Sequence, residues 1–208
     1  IHPKILKIPK LGVIGYHPAK LPKNRGRHPL IWALSLGLKE TASTFFFMDE
    51  EADSGDIISQ QRIEITEQDD AQSLYLKMIE TATSQILNII PDLNTKKFKR
   101  IQQKNSQSNL WRKRTKEDGK IDWRMNAKQI HNLVRGLTRP YVGAHFLLES
   151  KEYKVWKTKM ISCEDINNIE PGKVVKVNSK TFTVKCGEGC IEVQKVTPRI
   201  NVNVGDYL

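Results

Sequence analysis

The order of apolar segments constrains the fold of this chain more than any other feature. In the first 95 residues, β-forming runs alternate with segments whose apolar residues recur at helical spacing. The predicted elements are a buried strand at residues 11–16, a short helix between Pro29 and Gly37, strands at 41–48 and 57–65, and an amphipathic helix from the N-cap Asp70 to Pro91. This order predicts an α/β domain, and the buried first strand favours a parallel sheet.

The predicted strands are few for a complete domain of this class. A doubly wound domain usually opens with βαβ units, and the sequence before residue 11 contains none. The chain also begins at Ile1 rather than at a methionine, directly in a structured-looking stretch. We therefore expect a partial doubly wound, Rossmann-like domain whose N-terminal part is absent.

The second half of the chain has a different pattern. Residues 95–120 are polar and basic and lack apolar periodicity, which predicts a linker with little structure of its own. A short helix is predicted at Ala127–Leu137, followed by short β-forming segments at 153–160, 172–177, 181–185 and 191–196. These segments predict a small OB-like β-barrel. The predicted domains are therefore residues 1–108, a catalytic domain, and residues 109–208, a linker with the barrel.

Positive charge is concentrated in that second half. Residues 1–95 carry a net charge of −2, whereas residues 96–208 carry +13. This favours a partner that bears phosphate, such as RNA or a nucleotide-linked substrate, although a lysine-rich solvated surface would look the same. No apolar run approaches the roughly 18 residues that a membrane span needs, so an integral membrane protein is excluded.

The three cysteines, Cys163, Cys186 and Cys190, are too few and too oddly numbered for a disulfide framework. Cys186 and Cys190 bracket a glycine-rich hairpin tip, but no further Cys or His cluster supplies the ligands of a metal site. We expect no metal and a reducing, cytoplasmic location.

Two loops at predicted strand ends contain the reactive side chains. His17 opens a loop rich in proline and basic residues, and Asp53 lies in the acidic loop 49–56. A carboxylate that meets an imidazole fixes its tautomer and makes it a better proton acceptor near neutral pH. A lone histidine in a loop is more often structural, so the pair alone is a weak signal for catalysis.

The wider pattern is more specific. The motifs HPxxLPxxRGRxPxxWAL and TxSTxxxMDExADSGDI, with 36 residues from His17 to Asp53, resemble the formyltransferases that use 10-formyltetrahydrofolate. The resemblance continues in LWRKRTKEDGKIDW and RGLTRPYVGA and covers nearly the full chain. The family includes methionyl-tRNA formyltransferase and enzymes that formylate amino sugars on nucleotide carriers.

The resemblance implies roles for particular residues. An acceptor amine would attack the formyl carbon of 10-formyltetrahydrofolate while Asp53 orients His17, and His17 or a water accepts the amine proton. The folate would contact Met48, Asp49, Ala52 and Asp53. The acceptor would face Arg25, Gly26 and Arg27, because a guanidinium suits a phosphate or a carboxylate.

One position departs from the family pattern. The family has an asparagine two residues before the histidine, where it donates a hydrogen bond to the developing oxyanion, but this chain has Gly15. Losing one such donor costs on the order of 10² to 10³ in rate. Either a protonated His17, a backbone N–H or a water replaces the donor, or the chain is catalytically weak.

Three functions follow as hypotheses. The first is formylation of a nucleotide-linked amino sugar, favoured by the arginine after the glycine in the RGR segment. The second is formylation of methionyl-tRNA, favoured by the positive charge of residues 96–208. The third is a truncated, catalytically weak member that binds nucleic acid, favoured by Gly15 and the expected truncation.

Overall fold

The computed structural model describes residues 2–95, 98–164 and 168–208. The chain forms two compact units. The first comprises Ile1–Ala33, Leu38–Gln68 and Ser73–Arg114, and the second comprises Leu34–Gly37, Asp69–Gln72 and Thr115–Leu208. The division predicted after residue 108 stays a prediction, since the contacts divide the chain a few residues later. No helix among the described residues has the length and apolar character that crossing a membrane requires.

Along the first 114 residues most predicted elements are present, with small shifts at their ends. The elements are α1 (Pro3–Leu6), β1 (Ile14–His17), β2 (Arg25–Gly26), α2 (Pro29–Ser35), β3 (Glu40–Phe47), β4 (Ile57–Glu64), α3 (Ala71–Thr95) and β5 (Leu110–Trp111). Pro29 occupies the first position of α2, as predicted. Helix α3 continues past Pro91 to Thr95, which corrects the predicted end of this helix at the proline.

The sheet of the first unit has the strand order β1-β3-β4, and both pairings are antiparallel. The expected parallel sheet is therefore wrong for these strands. The prediction rested on residues 11–16 as a buried strand, whereas the strand that is buried along nearly its whole length is β3. Residues 48–56 join β3 to β4, and this loop is shorter than the crossover of about a dozen residues that parallel strands need. Strand β1 is only partly buried.

The segment predicted as a linker is ordered and belongs largely to the first unit. Strand β5 pairs in parallel with β2, so Arg25 lies beside Leu110 and Gly26 beside Trp111. Short 3-10 turns occur at Asn105–Gln107 and Glu117–Gly119. The segment lacks apolar periodicity because its polar side chains bond to neighbouring loops instead of packing in a core. Residues 96 and 97 lie outside the described residues.

The second unit contains α4 (Ala127–Leu137), β6 (Ala144–Leu148), β7 (Lys151–Ile161), β8 (Val174–Val177), β9 (Phe182–Lys185) and β10 (Cys190–Thr197). Helix α4 has the predicted bounds, and Asn126 and Gln129 form a capping box at its start. The strands form one five-stranded sheet in the order β6-β7-β10-β9-β8. Within the described residues this sheet is open, with β6 and β8 at its edges, so a closed OB-like barrel is not confirmed.

The cysteines differ from expectation. Cys163 and Cys190 form a disulfide with their Cα atoms 6.2 Å apart. The odd number of cysteines gave no indication of this pair. Cys186 remains as a thiol. Burial raises the pKa of the Cys186 thiol to about 12, so it stays protonated at neutral pH. Cys186 and Cys190 flank a hairpin turn as predicted, closed by the bond from the Cys186 N–H to the Gly189 carbonyl.

Helix α3 provides an internal test of the burial pattern. Leu74 is buried, whereas Leu87 on the same helix is 66% exposed. We expect Leu74→Ala to lower the free energy of unfolding by about 2–5 kcal/mol, because it removes buried methyl groups and leaves a cavity. Leu87→Ala, the matched control, should change it by less than about 0.5 kcal/mol. Urea unfolding followed by circular dichroism measures both, and equal losses would contradict the burial assigned to this helix.

Candidate active site

His17 ends strand β1 and is almost completely buried, with its side chain 6% exposed. Its Nε2 atom lies 2.8 Å from the carbonyl oxygen of Asn24. A carbonyl can only accept a hydrogen bond, so Nε2 carries a proton and donates it. The other nitrogen, Nδ1, faces Oδ2 of Asp53 at 3.7 Å. Both ring nitrogens of His17 therefore face groups of the protein.

Asp53 is brought to this position by the loop between β3 and β4. Its backbone is in the left-handed region, with φ 58°. Its Oδ2 atom accepts a hydrogen bond of 2.9 Å from the backbone N–H of Gly26. The Asp53 side chain is 21% exposed, whereas His17 is nearly enclosed. The carboxylate is thus the part of the pair that a bound molecule can reach.

Short contacts fix the shape of this loop. Asp49 Oδ1 accepts hydrogen bonds from the Ser54 hydroxyl at 2.6 Å and from the Glu51 N–H at 3.2 Å. Gly55 lies so close to β3 that a Cβ atom there would be 1.8 Å from the carbonyl oxygen of Phe47. Only glycine fits at that point, so steric crowding requires the glycine of the SGD segment.

The three residues proposed to face the acceptor have different environments. Arg25 is buried, and its guanidinium donates to Gln103 Oε1 and, at 3.0 Å, to Asn105 Oδ1. It is therefore engaged inside the protein, which differs from the expectation that it meets a substrate. Gly26 holds Asp53 through its N–H. Of the three, Arg27 has the exposed side chain.

A cavity of about 350 Å³ lies beside the loop that bears Asp53. Of the four residues predicted to contact the folate, Met48 and Asp49 line this cavity, whereas Ala52 and Asp53 do not. The Arg100 guanidinium forms part of the wall and stacks 3.8 Å from the centre of the Phe47 ring. Within the described ranges no group of three or more His, Cys, Asp or Glu side chains could hold a metal ion.

Side-chain atoms fill the space next to Gly15. An added Cβ would lie 2.8 Å from Cζ of Phe46 and 2.9 Å from Cγ of Met48. Phe46 packs with Leu21 and Ile57 in a buried cluster, and Met48 packs against that cluster. The volume that a longer residue would need at position 15 is therefore already occupied.

The surroundings of Arg27 are strongly positive. Burial, together with the charges of Arg114, Arg27 and Lys113, lowers the pKa of His28. Because the pKa is lowered, His28 stays neutral at neutral pH. The guanidinium of Arg114 lies over the Trp32 ring, 4.5 Å from its centre. The exposed cationic surface here is defined by Arg27 and Lys113 and lies within the first unit, whereas Arg114 is buried.

Sequence reasoning missed two residues that shape the site. Asn24 supplies the carbonyl that sets the tautomer of His17, and Gln103 bonds to the loop that bears Asp53. A role played by a backbone carbonyl cannot be recognised from the type of residue that carries it. Gln103 lies in a polar segment where no pattern distinguishes it from its neighbours.

Two family models match the chain in sequence order. The model described as "Formyl transferase" matches residues 1–90, and the model described as "Formyl transferase, C-terminal domain" matches residues 113–205. The paired loops, with their His and Asp, occur in the part matched by the first model. The chain belongs to the formyl transferase family.

Individual relatives act on different molecules. Methionyl-tRNA formyltransferase from Caldanaerobacter subterraneus subsp. tengcongensis is 35% identical over 193 residues, covering 93% of this chain and 61% of the relative. The N-formyltransferase from Helicobacter canadensis in complex with folinic acid and dTDP-3-aminofucose has a similar fold, with TM-score 0.70, 20% identity, and coverage of 88% of this chain and 65% of the other. HypX from Aquifex aeolicus in complex with tetrahydrofolic acid gives TM-score 0.70 and 17% identity, covering 94% of this chain and 38% of HypX.

The contact between Gly26 and Asp53 predicts a steep penalty for a side chain at position 26. Gly26 has φ 103°, and a Cβ there would lie 2.3 Å from the carbonyl oxygen of Trp111. Gly205 has φ 100°, and no atom lies within 4 Å of a Cβ placed there. Gly205→Ala therefore measures the cost of the positive φ alone. We expect Gly26→Ala to cost about 1–3 kcal/mol more of unfolding free energy than Gly205→Ala, because of the overlap. Urea unfolding compares the two, and equal costs would refute the close approach.

Proposed function

We propose that the chain transfers a formyl group from 10-formyltetrahydrofolate to an amine. The observation that carries the proposal is the pairing of a buried His17 with a partly exposed Asp53 beside a cavity of about 350 Å³. This is the histidine and carboxylate pair that the family motifs imply. The chain spans 61% of the length of the methionyl-tRNA formyltransferase it matches, so the activity is a proposal for the protein that contains it.

The hydrogen bonds favour Asp53 as the group that handles the proton. Because His17 donates from Nε2 to Asn24 and directs Nδ1 toward Asp53, it has no nitrogen left for the acceptor amine. In this proposal the amine nitrogen bonds to the formyl carbon, the bond from that carbon to N10 of the folate breaks, and Asp53 relays the amine proton toward N10. The Gly26 N–H holds the carboxylate, and His17 Nδ1, 3.7 Å from Oδ2 of Asp53, can share the proton as an imidazolium.

The cavity is compatible in size with part of a folate. Small-molecule sites typically measure about 300–1,000 Å³. Here Phe47 and Met48 supply the apolar part of the wall, and most of the other lining residues, among them Asp49, Arg100 and Gln103, are polar or charged. Complexes of two family neighbours with folinic acid and tetrahydrofolic acid support this donor. A bound folate supplies the formyl group, and Met48, Asp49, Ala52 and Asp53 are its proposed contacts.

For the acceptor we favour an amino sugar linked to a nucleotide. The exposed Arg27 and the cationic surface around it suit a phosphate group, which a nucleotide carrier brings. Arg25, being buried, takes no part in this contact. The complex of the Helicobacter canadensis neighbour with dTDP-3-aminofucose supports an acceptor of this class.

Methionyl-tRNA is the second candidate acceptor. The net charge of +13 on residues 96–208 suits an RNA backbone, and the relative from Caldanaerobacter supports it. Titration of initiator tRNA in a mobility-shift assay over a salt series separates the candidates. Absence of binding at low salt would eliminate tRNA. Tight binding without formyl transfer to any acceptor would instead support the hypothesis of a catalytically weak, nucleic-acid-binding member.

The decisive test of the reaction is substitution of the carboxylate. We expect Asp53→Asn to lower kcat for formylation of dTDP-3-aminofucose or methionyl-tRNA by about 10²–10⁴-fold, because the amide cannot accept the proton. Asp92→Asn, at an exposed position on α3, is the control and should retain the wild-type rate. Chromatography of the formylated product measures both. An active Asp53→Asn variant would show that another group handles the proton.

Gly15 offers a second test, of the missing oxyanion donor. Introducing the family asparagine should not restore a donor here, because Phe46 and Met48 occupy the space. We expect Gly15→Asn to lower the unfolding free energy by about 1–3 kcal/mol and to leave formyl transfer at or below the wild-type rate. Gly15→Ala controls for the Cβ atom alone. A stable Gly15→Asn variant with a faster rate would mean that the side chain is accommodated after all.

A further inference from the structure

The Gln103 side chain uses its complete hydrogen-bonding capacity at the site. It is 8% exposed. Its Nε2 atom donates to the carbonyl oxygens of Asp53 at 2.9 Å and Gly55 at 2.7 Å. Its Oε1 atom accepts from Nε of Arg25 at 3.2 Å and from Nη2 of Arg25 at 2.8 Å. A glutamine amide has two N–H donors and an oxygen with two lone pairs, so all four positions are occupied.

These bonds join the two loops that form the candidate site. Asp53 and Gly55 belong to the loop between β3 and β4, and Arg25 belongs to β2. The residue after Arg25 is Gly26, whose N–H binds the Asp53 carboxylate. Gln103 therefore binds the backbone of Asp53 directly. It also anchors β2 through Arg25, and β2 binds the Asp53 side chain through the N–H of Gly26.

The bonds also act at a backbone that is costly to maintain. Asp53 has φ 58°, a conformation that a residue with a side chain keeps only when its surroundings enforce it. The Asp53 and Gly55 carbonyls both point to the same amide nitrogen. Gln103 therefore restrains the conformation of this segment through two bonds from one amide.

We infer that Gln103 is a positioning residue for the proton-handling carboxylate: it clamps the Asp53 loop to the Arg25 strand, and through that clamp sets the distance between Asp53 and His17. This inference rests on the proposed function of Asp53. It assigns a role in the reaction to a segment that the sequence pattern marks only as a linker.

Gln103→Glu is the most informative variant. It keeps the shape and the acceptor for Arg25, but it places a carboxylate oxygen against the Asp53 and Gly55 carbonyls. Displacement of a reacting group by about 1 Å can cost 10²-fold in rate. We expect kcat to fall by about 10- to 100-fold while KM for the acceptor changes by less than about 3-fold. The added negative charge should also move the acid limb of the pH–rate profile to higher pH.

Two further variants define the effect. Gln103→Met keeps the volume and removes both the donors and the acceptor for Arg25 without adding charge, so it should lower kcat at least as much but leave the acid limb where it is. It also serves if Gln103→Glu does not fold. Gln107→Glu adds the same charge on an exposed turn in the same segment and should match the wild type in kcat and in pH profile.

Hydrogen–deuterium exchange separates failure of this inference from failure of the proposed function. In Gln103→Glu and Gln103→Met, we expect faster exchange confined to residues 53–57. If the wild type transfers formyl groups and a folded Gln103→Glu variant has wild-type kcat and wild-type exchange, the inference is wrong. Faster exchange spread evenly over the chain would also overturn it, since that indicates general destabilisation. If the wild type formylates no acceptor, the proposed function fails, and the exchange pattern alone decides whether the clamp exists.

Discussion

The arrangement of the candidate site depends on one hydrogen bond, from the backbone N–H of Gly26 to the carboxylate of Asp53. A backbone donor has no rotamers, so it fixes the carboxylate more tightly than a side chain would. The same close approach requires glycine at position 26, because the Trp111 carbonyl occupies the place of a Cβ. In the RGR segment, Gly26 therefore binds the Asp53 carboxylate and Arg25 is buried. Of the three residues only Arg27 has an exposed side chain.

The second constraint is the tautomer of His17. The Asn24 carbonyl holds the proton on Nε2, which leaves Nδ1 as the nitrogen next to Asp53. Because the ring is buried and both nitrogens face the protein, the proposed reaction reaches the substrate through Asp53 and not by direct contact with His17. This reverses the order that the family motif implies on its own, in which the carboxylate orients the histidine and the histidine meets the proton.

The sequence allowed prediction of those elements whose formation is decided locally. Helix α4, the strands around Phe46 and most of the β segments in the second unit follow from periodicity and turn residues. The direction of strand pairing did not follow, because the first strand, whose apolar run predicted parallel pairing, is only partly buried and pairs with β3 in the antiparallel direction. The pairing of His17 with Asp53 came from the motif resemblance. The burial of Arg25 could not be foreseen, since it depends on Gln103 and Asn105, which are distant in sequence and otherwise unremarkable in type.

The segment that supplies those partners lies between the two family models, which match residues 1–90 and 113–205. In the structure its described residues belong to the first unit, and several of them bond to the loop that bears Asp53 or to β2. The Asn109 carbonyl accepts from the Arg25 N–H, and the Trp111 carbonyl accepts from the Arg27 N–H. These backbone bonds tie the segment to β2, although its polar composition predicts a linker. The first unit therefore extends to Arg114, well past the change in composition near residue 95.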